Sequence, residues 1–247
     1  MAGIIVQLGE QDILNCYFRG AALPTGFQLL LCDYEVGPGD TLATLVGEPV
    51  GNGYVRQTLT PDTVGWPTVA LSGGSYMATS APVTFNATGG TWGPVITCCL
   101  ATLGLVVPNG LTLTVEGLTG ASTYEYVVTA LSEYGETLGS TPVQVVNANA
   151  NLSSYDSIEL DWNNVASAVA YNVYRTASNG SGTSSSTGQI ATVTSSTYTD
   201  TGVTASSISP PLVDTSGKLI DAYALDDPTT LNDGESMNVT VNFSIGS

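Results

Sequence analysis

From residue 27 onward the chain is cut into runs of strand length, rich in Val, Thr, Tyr, Ile and Ala, each bounded by Gly, Pro, Ser or Asn. Turn residues at that spacing leave no room for helices of about ten or more residues, so the runs predict an all-β chain. One stretch escapes the pattern. Residues 10–18, EQDILNCYF, place Ile13, Leu14, Tyr17 and Phe18 on one face of a short helix, and Gly20 ends it. Composition agrees with the class: only 10% of the 247 residues are charged, against about 25% in an average globular domain, so hydroxyls and amides must carry much of the solubility.

The first hundred residues predict a series of strands. FQLLLCDYEV (27–36) is apolar almost throughout, which suits a strand buried on both faces. GYVRQTLT (53–60) alternates Tyr54, Arg56 and Thr58 against Val55, Gln57 and Leu59 and predicts a half-buried strand; TVAL (68–71), APVTFNAT (81–88) and PVITCCLAT (94–102) follow. Past residue 103 the texture changes. Tyrosine-rich strands alternate with serine-rich loops, between two linker-like stretches, GLVVPNG (104–110) and SSISPPLVDTSGK (206–218), the second stiffened by Pro210-Pro211. The loop TASNGSGTSSSTG (176–188) has nothing apolar to bury and predicts a flexible segment. The chain closes with LIDAYAL (219–225) and SMNVTVNFSI (236–245), in which Met237, Val239, Val241, Phe243 and Ile245 alternate inward.

Within the central region, Trp162 in LDWNNV, Tyr171 and Tyr174 in AYNVYR, and the turn YTDTG (198–202) resemble a fibronectin type III or immunoglobulin-like sandwich, in which an indole packs on tyrosines between two sheets. YEYVVTALSEYGET, with Tyr126 beside Val127 and Gly135 at the turn, resembles the closing hairpin of such a domain, yet it precedes the opening strands. A circular permutation accounts for that order without two half-domains too short to bury a core.

The flanking segments read as one discontinuous unit. Gly53, Tyr54, Arg56 and Gln57, then Val83, Phe85, Trp92 and Gly93, then Leu231, Asp233 and Gly234 resemble the landmarks of a family of phage virion proteins described as tail fibre or minor structural proteins. The resemblance implies a discontinuous β-sandwich or barrel-like host domain, residues 1–104 plus 216–247, that docks onto a virion. Residues 105–215 would be an Ig/fibronectin-III-like domain inserted at a hairpin loop, where a guest with neighbouring ends is tolerated.

Charge and chemistry narrow the function classes. With 4 basic and 21 acidic residues the formal charge is −17, and Arg19, Arg56, Arg175 and Lys218 cannot make the basic patch that nucleic acid requires. The chain has no His, so Ser-His-Asp and Cys-His arrangements and His-containing metal sites are excluded. Cys16, Cys32, Cys98 and Cys99 lie in apolar surroundings without zinc spacing and read as small buried hydrophobes. Glu159 with Asp161, and Asp33 with Glu35, read as solvated strand edges rather than as a catalytic pair. Asp221, Asp226, Asp227 and Asp233 crowd the C-terminal region and are the best place for an adventitious ion. No catalytic, cofactor-binding or metal residue is expected.

MAGIIVQLGEQ has no basic n-region, and no run approaches the ~18 apolar residues of a membrane span. Synthesis in a host cytoplasm, with reduced thiols and no membrane partner, is therefore expected. Together with the resemblance, this predicts a non-enzymatic structural protein on the exterior of a bacteriophage virion, either a tail fibre or baseplate component or a capsid decoration (cement) protein. Its partners would be capsid or tail proteins and copies of itself, as a homotrimer. The alternative is a carbohydrate-binding adhesion module that contacts host-surface glycans through tyrosines exposed on one sheet face.

Overall fold

The computed structural model describes residues 3–244, so Ile245 lies outside the described residues. In chain order the elements are β1 (Gly3–Ile5), α1 (Gln7–Arg19), β2 (Phe27–Cys32), β3 (Gln57–Leu59), β4 (Thr68–Ser72), β5 (Ser75–Thr79), β6 (Val83–Asn86) and β7 (Trp92–Thr102). They continue as β8 (Thr112–Glu116), β9 (Ser122–Leu131), β10 (Val143–Ala148), β11 (Ser157–Asp161), β12 (Ala170–Ser178), β13 (Gly188–Val193) and β14 (Thr197–Asp200). The last three are β15 (Leu219–Leu231), β16 (Ser236–Val239) and β17 (Asn242–Ser244). The class is all-β with one α-helix. Two compact units emerge: residues up to Leu103 together with those from Gly217 on, and Gly104–Ser216.

In the discontinuous unit an antiparallel sheet runs β1-β15-β7-β2-β3. Its central strands are covered on both faces, and period two sorts their side chains. Leu29, Leu31, Cys98 and Leu100 join Phe85, Trp92 and Val239 in one core, while Leu30, Cys32, Cys99 and Ala101 meet Val6, Val36 and Leu42 in another. The C-terminal strands complete this unit: β16 pairs with β6, setting Met237 opposite Phe85, and β17 pairs with β5, setting Phe243 opposite Ala78. Val239 and Val241 are buried, Met237 and Phe243 half-buried. Strand β7 pairs with β15 directly, Ala101 opposite Leu219, so the other unit interrupts what would otherwise be a hairpin.

Two local expectations fail here. The helix starts earlier than its apolar face suggested, and Gly20 closes it in the left-handed region at φ 70°, its N–H donating to Asn15 O. Its buried residues are Gly9 and Asp12, with Leu8 half-buried against the second core, and of the apolar face only Ile13 is half-buried. A Cβ on Gly9 would lie 2.2 Å from Ile220 O, and Asp12 pairs with Lys218. The helix thus approaches β15 through a glycine and an ion pair, and Leu14, Tyr17 and Phe18 stay 56%, 76% and 80% exposed. The segment 53–60 is also less regular than expected: only Gln57–Leu59 is strand, half-buried with Leu59 inward, while Val55 faces solvent and Tyr54 and Arg56 are half-buried.

The other unit holds two antiparallel sheets, β10-β9-β12-β13 and β14-β11-β8. They share one core in which Trp162 meets Tyr171 edge-on at 5.4 Å, surrounded by Tyr124, Tyr126, Val128, Ile158 and Leu160. The Tyr171 hydroxyl fixes the bend that precedes β12, accepting from Val165 N–H (2.8 Å) and donating to Asn164 Oδ1 (3.1 Å). Tyr174 points to the opposite face of β12 and donates to Glu136 Oε1 at 2.6 Å.

A wholly buried ion pair organises the serine-rich loop. Arg175 donates to Asp200 Oδ2 from Nε (3.0 Å) and Nη2 (2.5 Å). Its Nη1 reaches the carbonyls of Thr183, Ser186 and Val203 at 3.3, 2.9 and 3.3 Å. The Tyr126 hydroxyl adds a third bond to Asp200 Oδ2, at 2.8 Å. Residues 176–188 are therefore anchored rather than free: a guanidinium replaces the apolar anchor the loop lacks, and Ser184 is buried beneath it. Nor is 206–218 a plain linker, because Gln189 exchanges backbone bonds with Ile208 O and Ser206 N, and Thr215 N–H donates to Glu136 O. Among the described residues no helix is long and apolar enough to cross a membrane.

Candidate functional site

The landmark residues of the discontinuous unit converge, and their chemistry is structural. Tyr54 stacks on Phe85 at 6.1 Å and meets Trp92 edge-on at 5.6 Å. Its hydroxyl donates to Glu48 Oε1 and accepts the Leu31 N–H, both at 3.0 Å. Burial and the neighbouring Glu48 carboxylate push the Tyr54 phenol far above its ordinary range. Arg56 holds the same Glu48 with a two-point fork, 2.7 Å from Nε and 2.6 Å from Nη2. Trp92 Nε1 donates to Asn52 O at 3.2 Å, and Asp233 Oδ1 accepts the Gly89 N–H at 2.7 Å. Gly53 sits at φ 75° where a Cβ would come within 2.0 Å of Thr88 Oγ1, so only glycine lets the loop close.

A groove of about 480 Å³ opens elsewhere on this unit. One wall is the outer side of α1 with Ile13, Cys16 and Tyr17, continued by Leu23; the floor and far wall include Phe27, Trp66, Val69 and Phe243. Phe27 and Trp66 lock edge-to-face at 5.8 Å. Two carboxylates border the groove, and each is already engaged. Asp12 pairs with Lys218. Asp62 accepts the Thr60 hydroxyl and the N–H groups of Val64 and Gly65, which hold its pKa below the ordinary value. Most of the remaining lining is apolar, and the groove has the character of an apolar receptor.

The groove continues into a hairpin that the sequence reading half missed. TVAL was read as a strand, but SYMAT, its partner β5, was not. The two-residue loop Gly73-Gly74, both at positive φ, between Ser72 and Ser75 is the signal that could have found it. Register sets Phe243, Ala78 and Val69 in one row and Leu71 beside Tyr76 two positions on, so all five share the groove's face. Every residue of β4 is exposed.

The acidic residues singled out in the sequence do not assemble a site. Glu159 and Asp161 are exposed, but on β11, the centre of its sheet rather than an edge, opposite Thr114 and Thr199, and Thr112 and Thr197. Asp33 and Glu35 lie exposed beyond the end of β2. Asp221 is buried, and that burial raises its pKa, whereas Asp226, Asp227 and Asp233 face solvent. Among the described residues no group of three or more carboxylates or thiols is placed to hold a metal ion. Cys98 and Cys99 face opposite sides of β7; Cys99 Sγ lies 3.9 Å from Cys32 Sγ, all four thiols are free, and burial pushes Cys98 far above the ordinary thiol range. Cys16 is half-exposed at the groove, unlike the other three.

Set against known proteins, the chain matches no protein-family model and no curated protein.

Proposed function

We propose that this chain is a non-enzymatic structural protein of a bacteriophage virion, exposed on its exterior, that docks through the discontinuous unit and presents the β-sandwich unit. One observation carries the reading. The unit whose landmarks resemble virion proteins pairs Arg56 with Glu48 and Lys218 with Asp12, and turns an apolar groove and an uncharged hairpin outward. Exposed apolar surface of that extent is characteristic of proteins that work against other proteins. Tail fibre or baseplate component and capsid decoration protein are both compatible with it, and copy number separates them.

A glycan-binding reading needs aromatic rings exposed together on a sheet face. In the sandwich unit Tyr124, Tyr126, Tyr171 and Tyr174 are at most 2% exposed, and Tyr155, the strongly exposed one, stands in a loop. That favours the structural reading. The test is mass spectrometry of purified particles, followed by a particle reconstruction. The chain is expected in stoichiometric amount with density outside the shell or along the tail; particles that lack it overturn the proposal.

A further inference from the structure

We infer that the face formed by the outer side of α1, the groove and the β4–β5 hairpin binds a second copy of this chain. The inference deepens the structural role proposed above by naming a partner and a surface, and it rests on three observations.

The first is area. Tyr17, Leu23 and Val69, which line the groove, are 76%, 76% and 67% exposed; Leu71 and Tyr76, paired further along the hairpin, are 64% and 70% exposed, and Phe18, next to Tyr17 in the helix, is 80% exposed. An aromatic side chain presents about 150–250 Å² and an aliphatic one less, so these six leave on the order of 700 Å² of mostly apolar surface. The largest such patch on an ordinary monomer is about 300–600 Å², and a standard interface buries roughly 800 Å² on each partner. The face is therefore the size of one side of a stable association, with aromatic anchors beside a receptor groove.

The second is the edge. Strand β4 ends the sheet β17-β5-β4 and has no further partner strand among the described residues. It reads Thr-Val-Ala-Leu-Ser, with none of the lysines, prolines or inward charges that normally keep an edge from pairing with another chain.

The third observation is charge, and it chooses the occupant. A partner of opposite sign would be met by a rim of free carboxylates, yet of the two carboxylates that border the groove Asp12 is paired with Lys218, and Asp62 alone keeps a net charge there. The six anchor residues carry no charge. A patch with a single unpaired carboxylate at its rim, on a chain of net charge −17, suits a copy of itself better than a basic partner, because the acidic remainder can lie away from the contact while the nearly neutral faces meet. Repulsion between copies then has a signature: association strengthens as salt screens it.

The test is sedimentation velocity of the full chain at low and at high ionic strength, beside a Leu71→Asn/Tyr76→Asn variant. Both replaced side chains are exposed and the net charge is unchanged, so the variant should fold; far-UV dichroism and thermal melting check that. The chain is expected to form a discrete oligomer that tightens with salt. The double variant should weaken it roughly 100-fold or more, the consequence of losing two buried apolar anchors. Leu212→Asn, which removes an exposed leucine of the sandwich unit, should leave it unchanged. A chain that stays monomeric at high salt, or an oligomer indifferent to the hairpin variant, overturns the inference. A monomeric chain still found in particles would retain the virion role and reject this surface alone.

Discussion

Replacing Arg175 with Met should cost the sandwich unit a large part of its stability. The side chain is fully buried, and its loss strands the Asp200 carboxylate together with the carbonyls of Thr183, Ser186 and Val203. Removing one member of a buried pair leaves an uncompensated charge and costs about 3–5 kcal/mol, out of about 5–15 kcal/mol for a whole domain. In a unit of this size each kcal/mol lowers the melting temperature by about 4–8 °C, so the expected loss exceeds about 12 °C. Two assays read it: urea unfolding followed by Trp162 fluorescence, and limited proteolysis at residues 176–188. The native loop should resist the protease and the variant should be cut there first. Arg175→Lys should recover little, since an ammonium cannot reproduce the fork to Asp200 and the three carbonyl contacts at once. Arg175→Met combined with Asp200→Leu should regain part of the loss, because the orphaned charge is gone. A single Met variant less than about 1 kcal/mol below wild type, with the loop still resistant, refutes the anchoring argument.

Burial holds the Asp221 proton above the ordinary 3.8. Between that value and the raised one the folded chain therefore binds more protons than the unfolded chain, and this group's contribution falls as pH rises through the window. Asp221→Asn, which keeps an oxygen for the Ala222 N–H, should thus melt higher than wild type at pH 7, with the gap closing below about pH 4; equal melting at pH 7 contradicts it. Gly53→Ala, at φ 75° and against Thr88, should destabilise the discontinuous unit by about 2 kcal/mol or more in urea titrations. A Thr88→Ala background should recover the steric share of that loss and leave the backbone share.

The all-β class was legible because turn residues punctuate the chain more densely than helices allow, and the strands with continuous apolar runs, 27–36 and 94–102, were the clearest, although the first ends at Cys32. What failed to show was which face of an element meets the core. Ile13, Leu14, Tyr17 and Phe18 have the spacing of a buried helical face, but the close approach of Gly9 to Ile220 O and the Asp12–Lys218 pair rotate that face outward. Periodicity reports that an apolar face exists, not whether its partner is in the same chain. The alternation in 53–60 likewise did not say which side goes in, and at Tyr54 two ring contacts and the bonds to Glu48 and Leu31 outweigh the burial of one valine. The serine-rich loop looked free because its anchor, Arg175, lies on the preceding strand, and a buried guanidinium is invisible to hydropathy. The groove could not be read at all, since its walls come from segments as distant as Ile13, Trp66 and Phe243.

The way the chain enters and leaves the sandwich unit makes a separate prediction. On the host side Thr102 N–H donates to Lys218 O at 2.8 Å and Lys218 N–H to Thr102 Oγ1 at 2.9 Å, so the two strands close as a hairpin would. On the guest side Leu105 N–H donates to Ser216 Oγ at 2.9 Å, so this unit's ends also lie together. Each unit is thus closed by its own bonds, and neither needs the other to hold its ends in place. Replacing Gly104–Ser216 with a two-residue Asn-Gly turn should leave the discontinuous unit folded and melting no lower than in the intact chain. The coupling runs through loop closure instead. A guest that is unfolded becomes a flexible connection of roughly a hundred residues, which costs about 3 kcal/mol more to close than a loop of three or four. Arg175→Met should therefore lower the stability of the host when conditions unfold the guest, although it touches no host residue, and the shortened chain should be immune to that penalty. Urea titrations that follow Trp66 and Trp92 with Trp162 replaced by Phe would separate the two units. A shortened chain that fails to fold would show that the host depends on the guest for more than the proximity of Thr102 and Lys218.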